Sequence, residues 1–340
     1  MEPAAENQRN RARVMLELGR VSNLPTVWSN VTAGWILAGG TWDWRLIFLL
    51  VGGSLLYTAG MFLNDAFDAN WDRIHRPERP IPSGRVSANV VGIAGIFMLM
   101  MGAAFVTGSF IRTYQLRQSI IALSALVACI LLYTWLHKKT AGSVVLMALC
   151  RFFLVFVSAV AVAPQSMDDP AAKWSVLVAT YVLGITLLAR GEARSITQRG
   201  SDAASPRLQT RLDGVSPHLG SVNESGSDAA SPRLKSARSI SLPGAICLAA
   251  PALCAGLIFP LAERVWVLFL VFALGWVAFG LRILDKRDDE GRIGRAVAHA
   301  LAGLVVMDAL AISFVNPPCA VAVVALLPFT LWLQRRIPAT

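Results

Sequence analysis

The sequence predicts an all-α protein, a multi-span transmembrane bundle of nine or ten helices in two four-helix halves. Three observations carry this. Apolar runs recur from Leu24 to Leu333, several of them close to the 20 or so residues that cross a bilayer. Only 15% of the residues are charged and mean hydropathy is +0.56, whereas a soluble domain carries about 25% charged residues. The basic residues behind the net charge of +10 fall almost entirely in alternate loops, the asymmetry of a chain that threads a membrane repeatedly.

Taken in order, residues 1–23 are polar and charged and lack the short apolar region of a cleaved signal. Val14, Leu16 and Leu18 among arginines predict a short helix lying on the membrane surface. The membrane domain is expected over 24–335. Its spans are expected at 24–39, 46–64, 88–108, 118–136, 141–163, 174–190, 242–260, 264–282, 297–315 and 319–334. The last two are separated only by the NPPC stretch at 316–319, so they read as two spans or one broken element. Of the 31 Lys and Arg, only Arg45, Arg112, Arg117, Lys173 and Arg264 lie in the odd loops, and Arg151 lies inside a span. All the others sit in the N-terminal segment, the even loops or the C-terminus, which places that side in the cytoplasm. A cationic inner face also accounts for the basic pI without a nucleic-acid partner.

A polar, charged stretch follows span two and another follows span six, on the same side. This spacing suggests two halves of four helices, with a site where they meet. From 200 to 239 the composition turns to Ser, Gly, Pro, Asp and Arg. The string GSDAASPRL occurs at 200–208 and again at 226–234. Two copies without an apolar face cannot stack into a solenoid, so this segment reads as a disordered, duplicated cytoplasmic loop. The five cysteines lie in or beside apolar spans and form no CxxC pair; they read as small buried hydrophobes. The four histidines are scattered and suggest no ligand set.

The chemistry-bearing stretch is NDAFDANWDRIHRPERPIPSGR, at 64–85. On a helix, Asp65, Asp68 and Asp72 stand at i, i+3 and i+7, with Asn64 four residues before Asp68, so one face carries all four. Three adjacent carboxylates repel unless a cation joins them. Mg²⁺ suits such a face, because it takes a few carboxylates, keeps waters and completes its shell with phosphate oxygens. Arg76, Arg79 and Arg85 follow on a loop stiffened by Pro77, Pro80 and Pro82 and turned by Gly84, and can bind phosphate. A metal-bound diphosphate at the mouth of an apolar bundle implies a lipid-like substrate, with its head in the metal site and its tail in the bilayer.

NDxxDxxxD followed by RPxRPIPSGRVS resembles the first signature of the UbiA-type intramembrane prenyltransferases. The resemblance extends over roughly 24–315 in helix layout and is specific over 64–87. It implies a multi-helix enzyme that moves an isoprenoid chain from its diphosphate to a lipophilic acceptor, aromatic in the first expectation, with Mg²⁺ as cofactor. It also implies catalytic roles for Asp65, Asp68 and Lys138, and metal ligation by Asp65, Asp68 and Asp72. Asn64, Arg76, Arg79, Arg85, Tyr133 and Lys139 would bind the diphosphate. Asn30 would face the cavity, with helix packing as its alternative role. No protein nucleophile is needed, and no Ser/His/Asp or Cys/His arrangement is present.

The chain departs from the family at its second acidic motif, usually DxxxD after span six. Here LLARGEARS offers only Glu192 as an acid, between Arg190 and Arg194. Glu192 is expected as a reduced second metal ligand and Arg190 as a phosphate contact. ITLLARGEA and LMALCRFF resemble a divergent bacterial branch with the same reduction, which makes a bacterial inner membrane the expected location. The reduction also supports an alternative: a catalytically weakened homologue that binds a prenyl diphosphate or lipid without transfer. Two further readings are weaker. A transporter would place its charges at the midplane, where only Arg151, Asp308 and the NPP break qualify. A CDP-alcohol phosphotransferase would carry glycine where Ala69 follows Asp68. Arg151 and Asp308, charged within spans, are expected to line the central cavity, paired with one another.

Overall fold

The computed structural model describes residues 12–111, 115–138, 140, 142–189, 242–259, 264–285 and 292–337. The duplicated loop and the sites expected at Lys139, Arg190 and Glu192 lie outside these residues.

A short helix α1 (12–18) leads through a 3₁₀ turn, Val21–Asn23, into α2, Leu24–Leu37. Pro25 sits in the first turn of α2, where its missing N–H leaves no bond unmade. At 14 residues, α2 reaches about 21 Å and falls short of the roughly 30 Å hydrocarbon core. It therefore does not stand in lipid as a free span but is enclosed by its neighbours, with Ser29, Asn30 and Trp35 all buried.

The next helix, α3, is the longest, Trp44–His75, and includes both the second expected span and the acidic stretch without interruption. Asp43 caps its start by accepting from the Arg45 amide. It ends where Pro77 forces Arg76 out of helical geometry, at φ −145°. Its 32 residues extend about 48 Å, so the last turns leave the hydrocarbon. Helix α4, Ala88–Gly108, starts at the Ser87 cap and packs tightly along α3. Gly52 and Gly102 face one another there; a Cβ on Gly52 would stand 2.9 Å from the Gly102 carbonyl oxygen, and only small residues permit that approach.

The chain continues through α5 (Leu116–Leu136), α6 (Ser143–Val160), α7 (Pro170–Ala189), α8 (Leu242–Ile258), α9 (Val265–Asp285) and α10 (Arg292–Ser313). Then come α11 (Pro317–Val324) and α12 (Leu326–Arg336). Every expected span is a helix. Among the described residues, eight helical segments are long and apolar enough to cross a membrane, α11 and α12 together making one. The chain is thus an integral membrane protein. Asn316 separates the last two spans by capping α11, its Oδ1 accepting from the Cys319 amide. Gln334 then donates to the Ala298 carbonyl, so α12 lies back along α10. The NPPC stretch therefore closes a hairpin rather than breaking one span.

Two interior helices, α2 and α10, pack on each other. Helices α3 and α6 pack on α2, and α8, α9 and α11 pack on α10, while α12 touches both. The expected cavity charges lie at this junction, and they are linked through an amide rather than to each other directly. Asn30 stands between them. Its Nδ2 donates to Asp308 Oδ2 at 2.6 Å, and its Oδ1 accepts from Arg151 Nη1 at 2.8 Å. Asp308 also accepts from Ser29 Oγ and Trp174 Nε1, at 2.6 and 3.0 Å. Arg151 donates to Thr26 and lies over the Tyr57 ring. An amide joins the two charges because its two ends are one donor and one acceptor. The network ties α2, α6, α7 and α10 with hydrogen bonds that water cannot replace at this depth.

Removing one member leaves the other charge buried and unbalanced. Asp308→Ala is expected to destabilise the protein by about 3–5 kcal/mol, read as a lower melting temperature in detergent. The Arg151→Leu, Asp308→Leu double variant is expected to melt above Asp308→Ala.

Candidate active site

The part of α3 that outruns the bilayer has two faces. Asn64, Asp65, Asp68 and Asp72 share one, with Asn64, Asp68 and Asp72 buried and Asp65 partly so. Phe67, Trp71 and Ile74 occupy the other and are exposed. Below the acids, Phe62 and Ala69 join a small apolar cluster with Val14 and Leu18 of α1, Ile81 of the following loop and Val91 of α4. Ile81 thereby pins the proline-rich loop against α3, and Gly84, at φ +75°, reverses it.

This anchoring decides which arginine meets the acids. Arg79 Nη1 lies 2.8 Å from Asp72 Oδ2 and 3.6 Å from Asp65 Oδ1. Arg85 turns elsewhere: it donates to the Glu78 carbonyl and to Ser83 Oγ, and its Nη1 lies 3.7 Å from Glu17 of α1. It closes the loop and fastens it to α1 and is not brought to the acids. Arg76 caps α3 and is exposed. Asn30 belongs to the network between α2, α6 and α10, bridging Arg151 and Asp308.

The short loop after α5 completes the site. Lys138 Nζ lies 2.8 Å from Asp68 Oδ2 and 3.6 Å from Asp72 Oδ1. His137 Nε2 is 2.9 Å from the same Asp68 oxygen, and Tyr133 stacks on the His137 ring. Sequence reasoning passed over His137. Its one signal was its place beside Lys138, at the same membrane edge as the acids. Arg20 was passed over as well. It adds positive potential at Asp65 from the end of α1. It is also the one non-glycine residue with positive φ (44°) among the described residues.

The cluster is an acidic helix face with cations set around it. Among the described residues, no three His, Cys, Asp or Glu side chains converge as a ready-made metal cage. Three buried oxygens nevertheless accept no hydrogen bond: Asn64 Oδ1, Asp65 Oδ1 and Asp72 Oδ1, the latter two meeting Arg79 and Lys138 only at 3.6 Å. Buried acceptors without a donor are costly, and an oxygen-seeking cation would satisfy them. This donor set fits Mg²⁺, which takes only one or two carboxylates and fills its shell with water and phosphate.

Comparison with known proteins agrees with this architecture. A sequence profile of the UbiA prenyltransferase family matches residues 23–296. A digeranylgeranylglyceryl phosphate synthase from Methanopyrus kandleri is 31% identical over 170 residues, which are 49% of this chain and 58% of that protein. The chain thus spans little more than half the length of this curated relative. Among solved structures, a UbiA homologue from Aeropyrum pernix K1 superposes with a TM-score of 0.56 at 18% identity, covering 86% of this chain and 96% of that one. Another from Archaeoglobus fulgidus, bound to GPP and Mg²⁺, gives 0.55 at 12% identity, with coverage of 92% and 99%. At such identities these two likenesses concern the fold. With the profile matched over most of its length, the chain belongs to the UbiA prenyltransferase family.

Proposed function

We propose that this protein transfers an isoprenoid chain from its diphosphate to a lipophilic acceptor at the cytoplasmic edge of a membrane, with Mg²⁺ as cofactor. The observation that carries the reading is the set of buried oxygens on Asn64, Asp65 and Asp72 that accept no hydrogen bond, beside the cations Arg79 and Lys138. Oxygens suited to a metal and cations suited to phosphate lie on one face, where a long apolar substrate would present its charged end.

In this reading one or two of the carboxylates of Asp65, Asp68 and Asp72 would ligate the metal, with Asn64 beside them. Bound there, Mg²⁺ would neutralise charge on the diphosphate oxygens. Arg79 and Lys138 exchange carboxylate partners for phosphate oxygens and stabilise the negative charge that develops as the diphosphate departs. The bond from carbon one of the isoprenoid to oxygen breaks, and its electron pair leaves with the diphosphate. The allylic carbon gains cationic character, the acceptor bonds to it, and the acceptor's proton passes to the departed diphosphate. The surrounding apolar helices keep water from the cation. His137 holds Asp68 on the face shared with Lys138. Glu192 and Arg190 are proposed as a second metal ligand and a phosphate contact, and Lys139 and Tyr133 as further diphosphate contacts. The cationic loops favour a cytoplasmic N-terminus and a cytoplasmic site.

The family resemblance suggests an aromatic acceptor. The name of the Methanopyrus kandleri relative favours a second class, a prenylated glyceryl phosphate. Washed membranes given Mg²⁺, radiolabelled geranylgeranyl diphosphate and each acceptor class separate the two by the lipid that becomes labelled. Asp68→Ala is expected to lower kcat by a factor of about 10²–10³, and chelation of the metal is expected to stop turnover. A wild-type protein that binds the diphosphate yet labels no acceptor would instead support the non-transferring homologue.

Arg79→Ala removes a charge-assisted contact and is expected to raise KM for the diphosphate by about tenfold or more. Arg85→Ala, which loses only loop and α1 contacts, is expected to change that KM by less than about threefold. Steady-state kinetics on the two variants side by side test the assignment.

A further inference from the structure

The sequence reading gave Trp71 no role, and an exposed tryptophan at a membrane edge is ordinarily an anchor in the interface. Its surroundings are more specific than that. Lys138 Nζ stands 3.9 Å from the centre of the Trp71 ring while also lying 2.8 Å from Asp68 Oδ2. The indole is itself held: the His75 ring stacks on it at 3.9 Å and 8°, and His75 Nδ1 lies 3.0 Å from the Trp71 carbonyl oxygen. The aromatic platform is therefore fixed to the last turn of α3, three residues beyond Asp68 and one before Asp72.

Lys138 needs such a support. It lies beyond the end of α5 on a short connection, on a four-carbon stem whose freedom is costly to freeze. Its side chain remains 30% exposed, so an ion pair alone holds it weakly. A ring face that attracts the ammonium electrostatically restricts it without using its hydrogen-bond donors. The three N–H groups stay available, first to Asp68 and then to an anion.

We propose that Trp71 is a positioning residue for Lys138, holding the ammonium at the acid face before the diphosphate arrives. This rests on the proposed function for the identity of the anion. It goes beyond that function in making diphosphate affinity depend on an aromatic side chain that touches neither metal nor substrate. Pre-organisation of this kind acts on binding and leaves later steps unchanged.

The test compares Trp71→Leu and Trp71→Met, which keep apolar bulk at the interface without a ring, with Trp71→Phe, which keeps a ring. Running both non-aromatic variants guards against one of them failing to fold. The non-aromatic variants are expected to raise KM for the allylic diphosphate by about fivefold, with kcat and the acceptor KM near wild type. Trp71→Phe is expected to stay within about twofold. In a Lys138→Gln background the Trp71→Leu effect is expected to vanish. The proposal is overturned if Trp71→Leu and Trp71→Met match the wild type, if Trp71→Phe is as impaired as they are, or if the loss persists without Lys138. Calorimetric binding of inorganic diphosphate with Mg²⁺ is measured on the same proteins. Should the wild type bind diphosphate without transferring a chain, the transfer reading fails. Trp71 is then judged on affinity alone: weaker binding by the leucine variant upholds it, and equal binding rejects it. A wild type that binds no diphosphate rejects both.

Discussion

The site depends on the length of α3. A helix of 32 residues cannot be contained in a hydrocarbon layer about 30 Å thick, so its final turns must emerge into the headgroup region. At that depth a helix is half in each medium, and the sequence supplies a face for each. Phe67, Trp71 and Ile74 stay exposed, while Asn64, Asp68 and Asp72 turn inward beneath the proline-rich loop and the end of α5. Buried carboxylates are tolerable only with partners. Arg79 from one loop and His137 and Lys138 from another supply them. The acids thus organise two loops that are distant in sequence. The same loops leave three buried oxygens without a hydrogen bond, because their cations approach Asp65 Oδ1 and Asp72 Oδ1 only to 3.6 Å and leave Asn64 Oδ1 without a donor.

The rigidity behind this arrangement comes from deeper in the bundle. Helix α2 is too short to span unaided, and its polar residues would be poor lipid-facing ones. Enclosed, they become connectors. Ser29 and Asn30 reach Asp308, Asn30 and Thr26 reach Arg151, and Trp28 reaches Ser54 of α3. Tyr57 lies two turns before the acids on α3. It accepts a hydrogen bond from Asn23 at the start of α2 and lies beneath the Arg151 guanidinium. The buried network and the acid face are therefore attached to one helix. Their chemistry differs: the network joins its two buried charges through Asn30, whereas the acid face gathers three carboxylates and several cations at the membrane edge.

Much of this was legible in the chain. The spans could be read from hydropathy, and the acid face from the spacing of Asp65, Asp68 and Asp72, because both depend on local periodicity. What was not legible depended on register between helices. Arg79 and Arg85 look equivalent in RPERPIPSGR, and the burial of Ile81 and the turn at Gly84 are what aim one at the acids and the other at α1. His137 lies 69 residues from Asp68 in the chain, and no local pattern could join them. Arg151 and Asp308 were recognisable as a linked pair of anomalies. That Asn30 would stand between them required knowing how α2 rotates against α6 and α10.

The reduced second acidic motif bears on how the proposed chemistry would be shared. A diphosphate flanked by two acid-rich motifs can be neutralised largely by metal ions, with protein cations in support. With one full motif, fewer carboxylates are available to hold metal, and neutralisation must fall more heavily on side chains. The site has that bias. Arg79 and Lys138 touch the acids directly, His137 lies against Asp68, and Arg20 adds to the field. Fixed cations meet a diphosphate only as well as they are placed, since a freely moving ammonium must be ordered when the anion binds. A metal ion is placed by its ligands, but a lysine on a loop has to be placed by something else. In this chain the Trp71 ring stands against that ammonium, and in the proposed reading the aromatic face of α3 serves diphosphate binding alongside its acidic one.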